Sequence, residues 1–374
     1  MNRAARPHLS RRRVGVLSTS FALSLALAGC MLFAPGPARG DGSGGGSSEG
    51  VLLFGLGMHV EPMGSRVSPI ALAAGATQTP TDPRRPDYRD RAYFQADVRD
   101  LRALAGILER HGGRMTVQVQ SPFTTVAAES GETLLTDLEA RGHEVALHFH
   151  EQAHLGSAPE ALPVSLWAAV MAEEIGFIRD AGVTGPIRYW SGGNLYPGLL
   201  EAAAGAGLSV NSDWKNPGTQ STPEGLLGVH PWRPAGSTDG IDVALFAAHD
   251  PGRAVVFLPN GAIDGDEWAR KREIEAAGGE EAWLEVLKQG LLDSLAAAGT
   301  DRVSAYHLTL HPNEFRGAPG RPYEMIDRFL TEVVDALVAA GKVRWATHSE
   351  VADAYVAWEA SHPGVDPRGG EGGT

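Results

Sequence analysis

A run of fifteen residues, 142–156, carries four of the chain's 13 histidines: GHEVALHFHEQAHLG. His148, His150 and His154 offer three imidazoles within seven residues, and Glu61 adds a carboxylate. A catalytic zinc ion usually takes three protein ligands of these types and keeps one position open for water. It lowers the pKa of that water from about 16 toward about 7, which makes hydroxide available at neutral pH. We therefore expect these four residues to supply the ligands of a divalent metal.

The donor set also limits which metal can bind. The chain has one cysteine, Cys30, and it lies in a predicted signal segment, so no sulfur ligand is expected. A site of nitrogen and oxygen donors suits zinc best, with manganese, cobalt or nickel as alternatives. The competing interpretation is a solvated histidine-rich loop that binds no metal. His143 precedes the predicted strand and is expected to be structural.

Polar residues recur where predicted strands end, which suggests that one face of the fold collects them. In a parallel barrel all carboxyl ends of the strands open on one face, where active sites assemble. Side chains two residues apart on a strand point the same way, so each pair can face the interior. Polar groups placed there cost several kcal/mol unless they are paired or bound to metal. The residues concerned are His59 and Glu61, His148 and His150, Arg188, Asp213 and Trp214, and His307 and His311.

Strand-like and helix-like patterns alternate between residues 51 and 360. About seven strands are predicted, most of them followed by a helix, and no fixed-period repeat is present. This order indicates parallel pairing with right-handed crossovers, hence an α/β fold. A barrel and an open doubly wound sheet both fit the pattern. The absence of G-x-G-x-x-G after the first strand weighs against a dinucleotide-binding fold.

The amino-terminal 50 residues are predicted to lie outside the folded domain. Residues 1–29 combine three arginines with a short apolar stretch that ends in LAGC, as in a bacterial lipoprotein signal peptide in which Cys30 is lipidated. Residues 30–50 are rich in Gly, Ser and Pro and are expected to form a flexible tether. The tail 361–374 is predicted to be disordered. We therefore expect an exported protein that contacts the membrane only through its lipid anchor.

The formal net charge of −13 argues against a nucleic-acid partner, because phosphate backbones are bound by a surplus of Lys and Arg. A nucleophilic-serine hydrolase is also disfavoured, since no G-x-S-x-G motif is present.

Six short motifs, in this order along the chain, resemble those of the polysaccharide deacetylase family of carbohydrate esterases over most of 51–350. They read HVEP, GHEVALHFHEQAH, RYWSGG, SDW, LTLH and ATHSEVADAY. The resemblance implies a distorted (β/α) barrel of about seven strands in a single catalytic domain. It also implies metal-assisted removal of acetyl groups from sugars, with an acylated glycan as the substrate.

The resemblance also implies roles for individual residues. Glu61 takes the place of a metal-binding aspartate, and His148 is the first histidine ligand. The second histidine ligand is His150 or His154, because the family's spacing falls on Gln152. The remaining roles are orientation of carboxylates by Arg188, orientation of the catalytic histidine by Asp213, stacking on a sugar ring by Trp214, and general acid catalysis by His311.

One departure from the family pattern concerns the catalytic base. If Glu61 aligns with the family's second aspartate, Val60 occupies the position of the first, which acts as base. The base role then falls to His59, Glu61 or Glu151, or hydrolysis is slow or lost. We therefore expect a divergent member of the family.

Two further functions fit the same residues. The first is a non-catalytic lipoprotein that binds carbohydrate on the same barrel. The second is a related glycosidase, which needs two facing carboxyl groups roughly 5–9 Å apart at the rim. Glu61 and Asp213 are the pair that would serve it.

Overall fold

The structure is a computed structural model that describes residues 50–78, 85–192, 196–212, 222–237, 243–261, 279–312, 314 and 323–369. The predicted signal peptide and nearly all of the predicted tether, including Cys30, lie outside these residues. The folded part belongs to one compact unit that begins at Ser48.

The described strands all pair in parallel and form a distorted (β/α) barrel, as the sequence predicted. The order β6-β5-β4-β3-β2-β1-β7 shows that neighbours in sequence are mostly neighbours in the sheet, as expected for strand–helix–strand units. The strands are β1 (Leu52–His59), β2 (Thr116–Val119), β3 (Glu144–His148), β4 (Tyr189–Ser191), β5 (Val210–Asn211), β6 (Val256–Phe257), β7 (Ser304–Leu310) and β8 (Val343–Trp345).

Helices connect most of these strands and pack around the outside of the sheet. No helix within the described ranges is both long and apolar enough to cross a lipid bilayer. The helices are α1 (Pro69–Ala73), α2 (Arg91–Arg110), α3 (Phe123–Ser130), α4 (Leu134–Ala140), α5 (Glu151–Leu155), α6 (Val164–Asp180), α7 (Leu199–Gly205), α8 (Ala244–Ala247), α9 (Glu280–Ala296), α10 (Glu324–Phe329), α11 (Asp335–Ala339) and α12 (His348–Ser361). A π-helical turn, Leu330–Val334, joins α10 to α11.

Strand β1 pairs with three other strands. It pairs with β7 along most of its length. On its other side it pairs with β8 over its first three residues and with β2 over Gly57–His59. The carboxyl end of β1 is therefore held between β2 and β7, and the chain that follows it is anchored on both sides.

A segment that pairs antiparallel with β6 lies between β6 and β7. Trp232 exchanges backbone hydrogen bonds with Phe257 of β6, and Gly228 does so with Gly261. On the other side the backbone N–H of Ala305, in β7, donates to the carbonyl of Val229.

The barrel separates two apolar cores. The larger one lies between the strands and the helices, and the smaller one is inside the barrel, where it includes Leu53 and Tyr189. Polar side chains share this interior. A Cβ atom at Gly57 would lie 3.0 Å from the amide nitrogen of Gln118 and 3.2 Å from the ring of His348. Glycine is needed at this point of β1 because buried polar side chains fill the space.

Part of the tail for which disorder was predicted is described. Helix α12 extends to Ser361, and the chain is described as far as Gly369. The guanidinium of Arg368 lies 4.3 Å from the ring centroid of Trp232 and donates to the carbonyls of Gly225 and Ala247. One cation–π contact and two backbone acceptors therefore link Arg368 to the barrel.

Candidate metal centre

Three imidazoles converge on the carboxylate of Glu61, two residues beyond the end of β1. The Nε2 atom of His150 lies 3.0 Å from Oε2 of Glu61. The Nε2 atoms of His311 and His148 lie 3.2 Å and 3.5 Å from Oε1. These residues follow or end β1, β3 and β7, so the carboxyl ends of three strands meet as the strand pattern predicted.

The electrostatics of the group are dominated by burial and by mutual contact. Burial alone would raise the pKa of Glu61, but the charge of His150 and the close contacts of the three imidazoles outweigh it and lower the pKa far below its usual range. Burial lowers the pKa of His148 well below its ordinary value, and the neighbouring His59 adds to the effect. The group therefore combines an ionised carboxylate with a neutral imidazole, the protonation states that a metal requires.

The imidazole of His148 is held in one orientation from behind. Its Nδ1 lies 2.9 Å from Oγ of Ser191, at the end of β4. Its Nε2 is buried and makes no hydrogen bond to any described residue. If Nδ1 donates to the serine oxygen, the lone pair of Nε2 points at the space beside Glu61. A ligating histidine typically has this arrangement, in which an outer partner fixes the tautomer.

The backbone leaves no room around this ring. Gly192 has φ +77, and a Cβ atom there would lie 3.0 Å from both Nδ1 and Cε1 of His148 and 2.9 Å from the carbonyl oxygen of Phe149. Glycine is the residue that tolerates this left-handed conformation and the close approach together.

The geometry of the group fits a divalent cation. Glu61, His148 and His150 each offer a ligand atom, and these three atoms lie within 4.8 Å of one another. A tetrahedral zinc ion with bonds of about 2.0–2.1 Å needs ligand atoms about 3.3 Å apart. The Nε2 atom of His150 lies 3.0 Å from one oxygen of Glu61 and that of His148 lies 3.5 Å from the other, so both separations are close to that value. One carboxylate and two imidazoles are the donor set expected of a catalytic site with an open position.

His311 lies beside this group with both ring nitrogens facing carboxylates. Its Nδ1 is 3.2 Å from Oε1 of Glu314, and its Nε2 is the atom that faces Glu61. The backbone N–H of His311 also donates to Glu314 at 3.0 Å. The backbone contact places Glu314 beside the ring, and Nε2 is the nitrogen that faces the site.

His59 also joins the cluster, through ring contacts. It stacks on His148 with ring centroids 4.2 Å apart and meets His311 edge-on at 5.3 Å. His307, in β7, lies deeper in the barrel, four residues before His311, and contacts His348 edge-on at 4.7 Å. His307 and His311 therefore lie at different depths of the barrel.

The structure does not bring His154 to the metal group, contrary to the sequence prediction. Its Nε2 lies 2.8 Å from Oε1 of Gln120, and its Nδ1 lies 3.1 Å from Oε1 of Glu174. Both ring nitrogens therefore face acceptors behind the site, and neither faces Glu61. The physical reason is local: α5 begins at Glu151, and the helical backbone turns His154 away from the strand end.

Two other predicted residues also lie apart from the group. The side chain of Glu151 is buried in the first turn of α5, where its charge helps to raise the pKa of Tyr196, although burial of the tyrosine is the larger cause. The guanidinium of Arg188 precedes β4 and makes two hydrogen bonds of 2.8 Å to Asp353. It therefore lies at the amino end of the strand, opposite the site. Asp213 and Trp214 lie outside the described residues.

Four residues of the site were missed by the sequence interpretation: Ser191, Glu314, Gln120 and Glu174. A signal existed for two of them. Ser191 is the last residue of β4, the strand beside the one that ends in His148. Glu314 lies three residues after His311. Gln120 and Glu174 contact the site only through folding, because 34 and 20 residues separate them from His154 along the chain.

Comparisons with known proteins establish the fold of this chain. No family model matches the sequence, and no curated protein is significantly similar to it. Among solved structures, it resembles one described as a probable polysaccharide deacetylase from Pseudomonas aeruginosa PAO1, with TM-score 0.51, 15% identity, and coverage of 84% of this chain and 93% of the other. It also resembles Puue allantoinase, with TM-score 0.53, 14% identity, and coverage of 85% and 94%. A 4-alpha-glucanotransferase from Thermococcus litoralis matches with TM-score 0.47, 17% identity, and coverage of 81% and 40%, and supports no inference.

Proposed function

We propose that the protein is a metal-dependent hydrolase that removes acetyl or other acyl groups from a carbohydrate. The observation that carries the proposal is the convergence of Glu61, His148 and His150 on one point, with His311 at its side. The fold likeness to a protein described as a polysaccharide deacetylase and to an allantoinase supports a hydrolase. The six sequence motifs support a sugar substrate.

The residues that would hold the cation are Glu61, His148 and His150, and zinc suits them best. When bound, such a cation lowers the pKa of a coordinated water and polarises the carbonyl oxygen of the acyl group. His148 keeps its lone pair directed at the site through Ser191. Because Ser191 fixes the ring, His148 does not need to reorient during the reaction.

Proton transfer is assigned to His311. With its Nδ1 facing Glu314, its Nε2 can accept a proton from water and later release it to the oxygen or nitrogen of the departing sugar. One imidazole in both roles balances the reaction, because the proton lost by the water is the one gained by the leaving group. This assignment also answers the departure at Val60, whose buried apolar side chain supplies no base.

The direct test measures acetate release from acetylated oligosaccharides and from an aryl acetate, with and without a chelator. We expect turnover to disappear on chelation and to return with zinc, and His148→Ala and His311→Ala to be inactive. Arg188→Ala is the matched control, because its salt bridge to Asp353 lies at the opposite end of the barrel. Turnover that survives the chelator and both histidine substitutions would exclude the proposal.

A non-catalytic carbohydrate-binding protein is the second candidate, and the valine at position 60 favours it. Where the family has a carboxylate base, this chain has a side chain with no proton-transfer chemistry, fully buried in the outer core. Metal binding and glycan affinity without any acetate release would select this candidate. Under the first proposal, acetate release accompanies both.

We also propose that the protein is exported and anchored through Cys30, on the strength of the LAGC motif that follows an apolar stretch. The measurement is membrane fractionation of the full chain and of Cys30→Ser. The wild-type chain is expected in the membrane fraction and the variant outside it, and an identical distribution would contradict the anchor.

A further inference from the structure

Behind the metal group, one buried amide contacts both loops that carry its ligands. The side chain of Gln120 follows β2 and is fully buried. Its Nε2 donates to the carbonyl oxygen of Val60, the residue before Glu61, at 3.2 Å. Its Oε1 accepts from the backbone N–H of His150 at 3.1 Å. The loops after β1 and β3 are thus joined through a single planar group.

A second layer of contacts fixes the orientation of this amide. Nε2 of His154 donates to the same Oε1 at 2.8 Å, and Nδ1 of His154 faces Glu174 at 3.1 Å. Glu174 in turn accepts from the backbone N–H of Ser121 at 2.7 Å and from its hydroxyl at 2.8 Å. A flipped amide would direct its NH₂ group at two donors, so only one orientation satisfies every partner.

We propose that Gln120 is a positioning residue of the metal centre, because its amide sets the separation between Glu61 and the ligand His150. The inference rests on the cation site of the proposed function and on no step of the reaction. It also gives His154 a role: the third histidine of the motif supports the amide that aligns the two ligands.

The contacts of Gln120 explain how a substitution at this position would weaken metal binding. A carboxylate and an imidazole bind a metal well only when their atoms lie at the right separation, and both are borne on loops rather than within strands. Loss of the amide leaves the carbonyl of Val60 and the N–H of His150 without their partner in a buried place. The two loops are then free to move apart.

The test compares two substitutions of Gln120 with one control on the same strand. Gln120→Leu removes all the amide contacts. Gln120→Glu keeps the oxygen that His150 and His154 use, but it places a second oxygen against the carbonyl of Val60. The control is Thr116→Val, which removes two buried hydrogen bonds, to Glu144 and from the N–H of His348, four residues and about 13 Å earlier on the strand.

Zinc affinity of the metal-free proteins is measured by competition with a chromophoric chelator, and unfolding is followed in urea without metal. We expect both Gln120 variants to bind zinc at least about tenfold more weakly. Loss of a residue that contacts a metal ligand typically lowers metal affinity by about this factor or more. Thr116→Val should bind as the wild type does, even though it unfolds at lower urea. The visible absorption of the cobalt-loaded proteins should change in the Gln120 variants alone.

Wild-type zinc affinity in either Gln120 variant overturns the proposal, and so does an equal loss in Thr116→Val, which would make the effect one of general stability. The outcome is separate from that of the proposed function. If the Gln120 substitutions weaken zinc binding but the wild type releases no acetate, this inference holds and the proposed function fails. If the wild type hydrolyses glycan esters but the Gln120 substitutions leave zinc affinity unchanged, the proposed function holds and this inference fails.

Discussion

The two ends of the barrel are both rich in charge, but they differ in how the charges are satisfied. At the amino end the carboxylates of Glu144 and Asp353 have their own donors. Glu144 accepts from the hydroxyls of Thr116 and Ser349 and from the N–H of Ser349. Arg188 forms a bidentate salt bridge with Asp353. At the carboxyl end three imidazoles share the single carboxylate of Glu61.

Other polar groups at the amino end are paired in the same way. Arg114 donates to both oxygens of Glu350 at 2.9 Å, and His143 accepts from the N–H of Met115 at 3.0 Å. The carboxyl end, in contrast, leaves the buried Nε2 of His148 without a hydrogen bond among the described residues. An unpaired buried polar atom costs free energy. We therefore infer that the charges at the amino end stabilise the fold, whereas the cluster at the carboxyl end binds a ligand.

The largest expected effect is that of removing the shared carboxylate. Glu61→Gln should weaken zinc binding by at least about 100-fold, because an amide neither carries the ligand charge nor draws the three imidazoles together. Isothermal titration with zinc measures it. Glu350→Gln is the control at the amino end and should leave zinc affinity unchanged. Equal affinities for wild type and Glu61→Gln would erase the distinction between the two ends.

The amino end should respond in stability instead. Glu144→Ala deprives two hydroxyls and one N–H of their buried acceptor, and we expect it to lower the free energy of unfolding by about 2 kcal/mol. Urea denaturation of the metal-free protein checks this value. Zinc affinity should stay at the wild-type level, and a marked loss of it would show that the ends are coupled.

A smaller effect is expected from the residue behind His148. Ser191→Ala removes the contact to Nδ1, so the ring loses its fixed tautomer and zinc affinity should fall about tenfold. Ser191→Thr keeps the hydroxyl and is expected to recover most of the affinity. If alanine and threonine at 191 behave alike, the hydroxyl does not orient the ligand.

The smallest effect concerns pH and His111, which ends α2 on the amino side. Burial alone would lower the pKa of His111, but hydrogen bonds to Asp327 and Asp335 raise it overall. A raised pKa in the fold stabilises it fully below the unfolded value of about 6.5, and the contribution is lost as pH rises through the folded pKa. The gap in unfolding free energy between wild type and His111→Gln should be about 1 kcal/mol at low pH. A gap that is constant from pH 5.5 to 8.5 would contradict it.

The sequence predicts the fold well because burial repeats along it. The eight residues of β1 are all buried, and such a run reads as a strand covered on both faces. It also predicts the meeting of Glu61, His148 and His311, because parallel strands bring their carboxyl ends together. The outcome for His150 follows from the same alternation, which holds for two residues past the strand before α5 begins.

The predictions fail where a boundary or a distant contact decides. His154 was counted by spacing, but a helix starts three residues before it and turns its ring toward Glu174. Arg188 was placed near the site, but β4 begins only at the next residue, so the guanidinium stays at the strand's amino end. Gln120 carries no sequence signal, since its partners come together only in the folded chain.

The left-handed turn at Gly192 has a consequence for how this protein can diverge. Residues that face the substrate can drift as the substrate changes, but any side chain at 192 would press on the ring of His148 and strain the backbone as well. Related sequences that retain this imidazole should therefore retain glycine here, even where Trp214 or Val60 has been replaced. A position that contacts no substrate would then be among the least variable in the lineage.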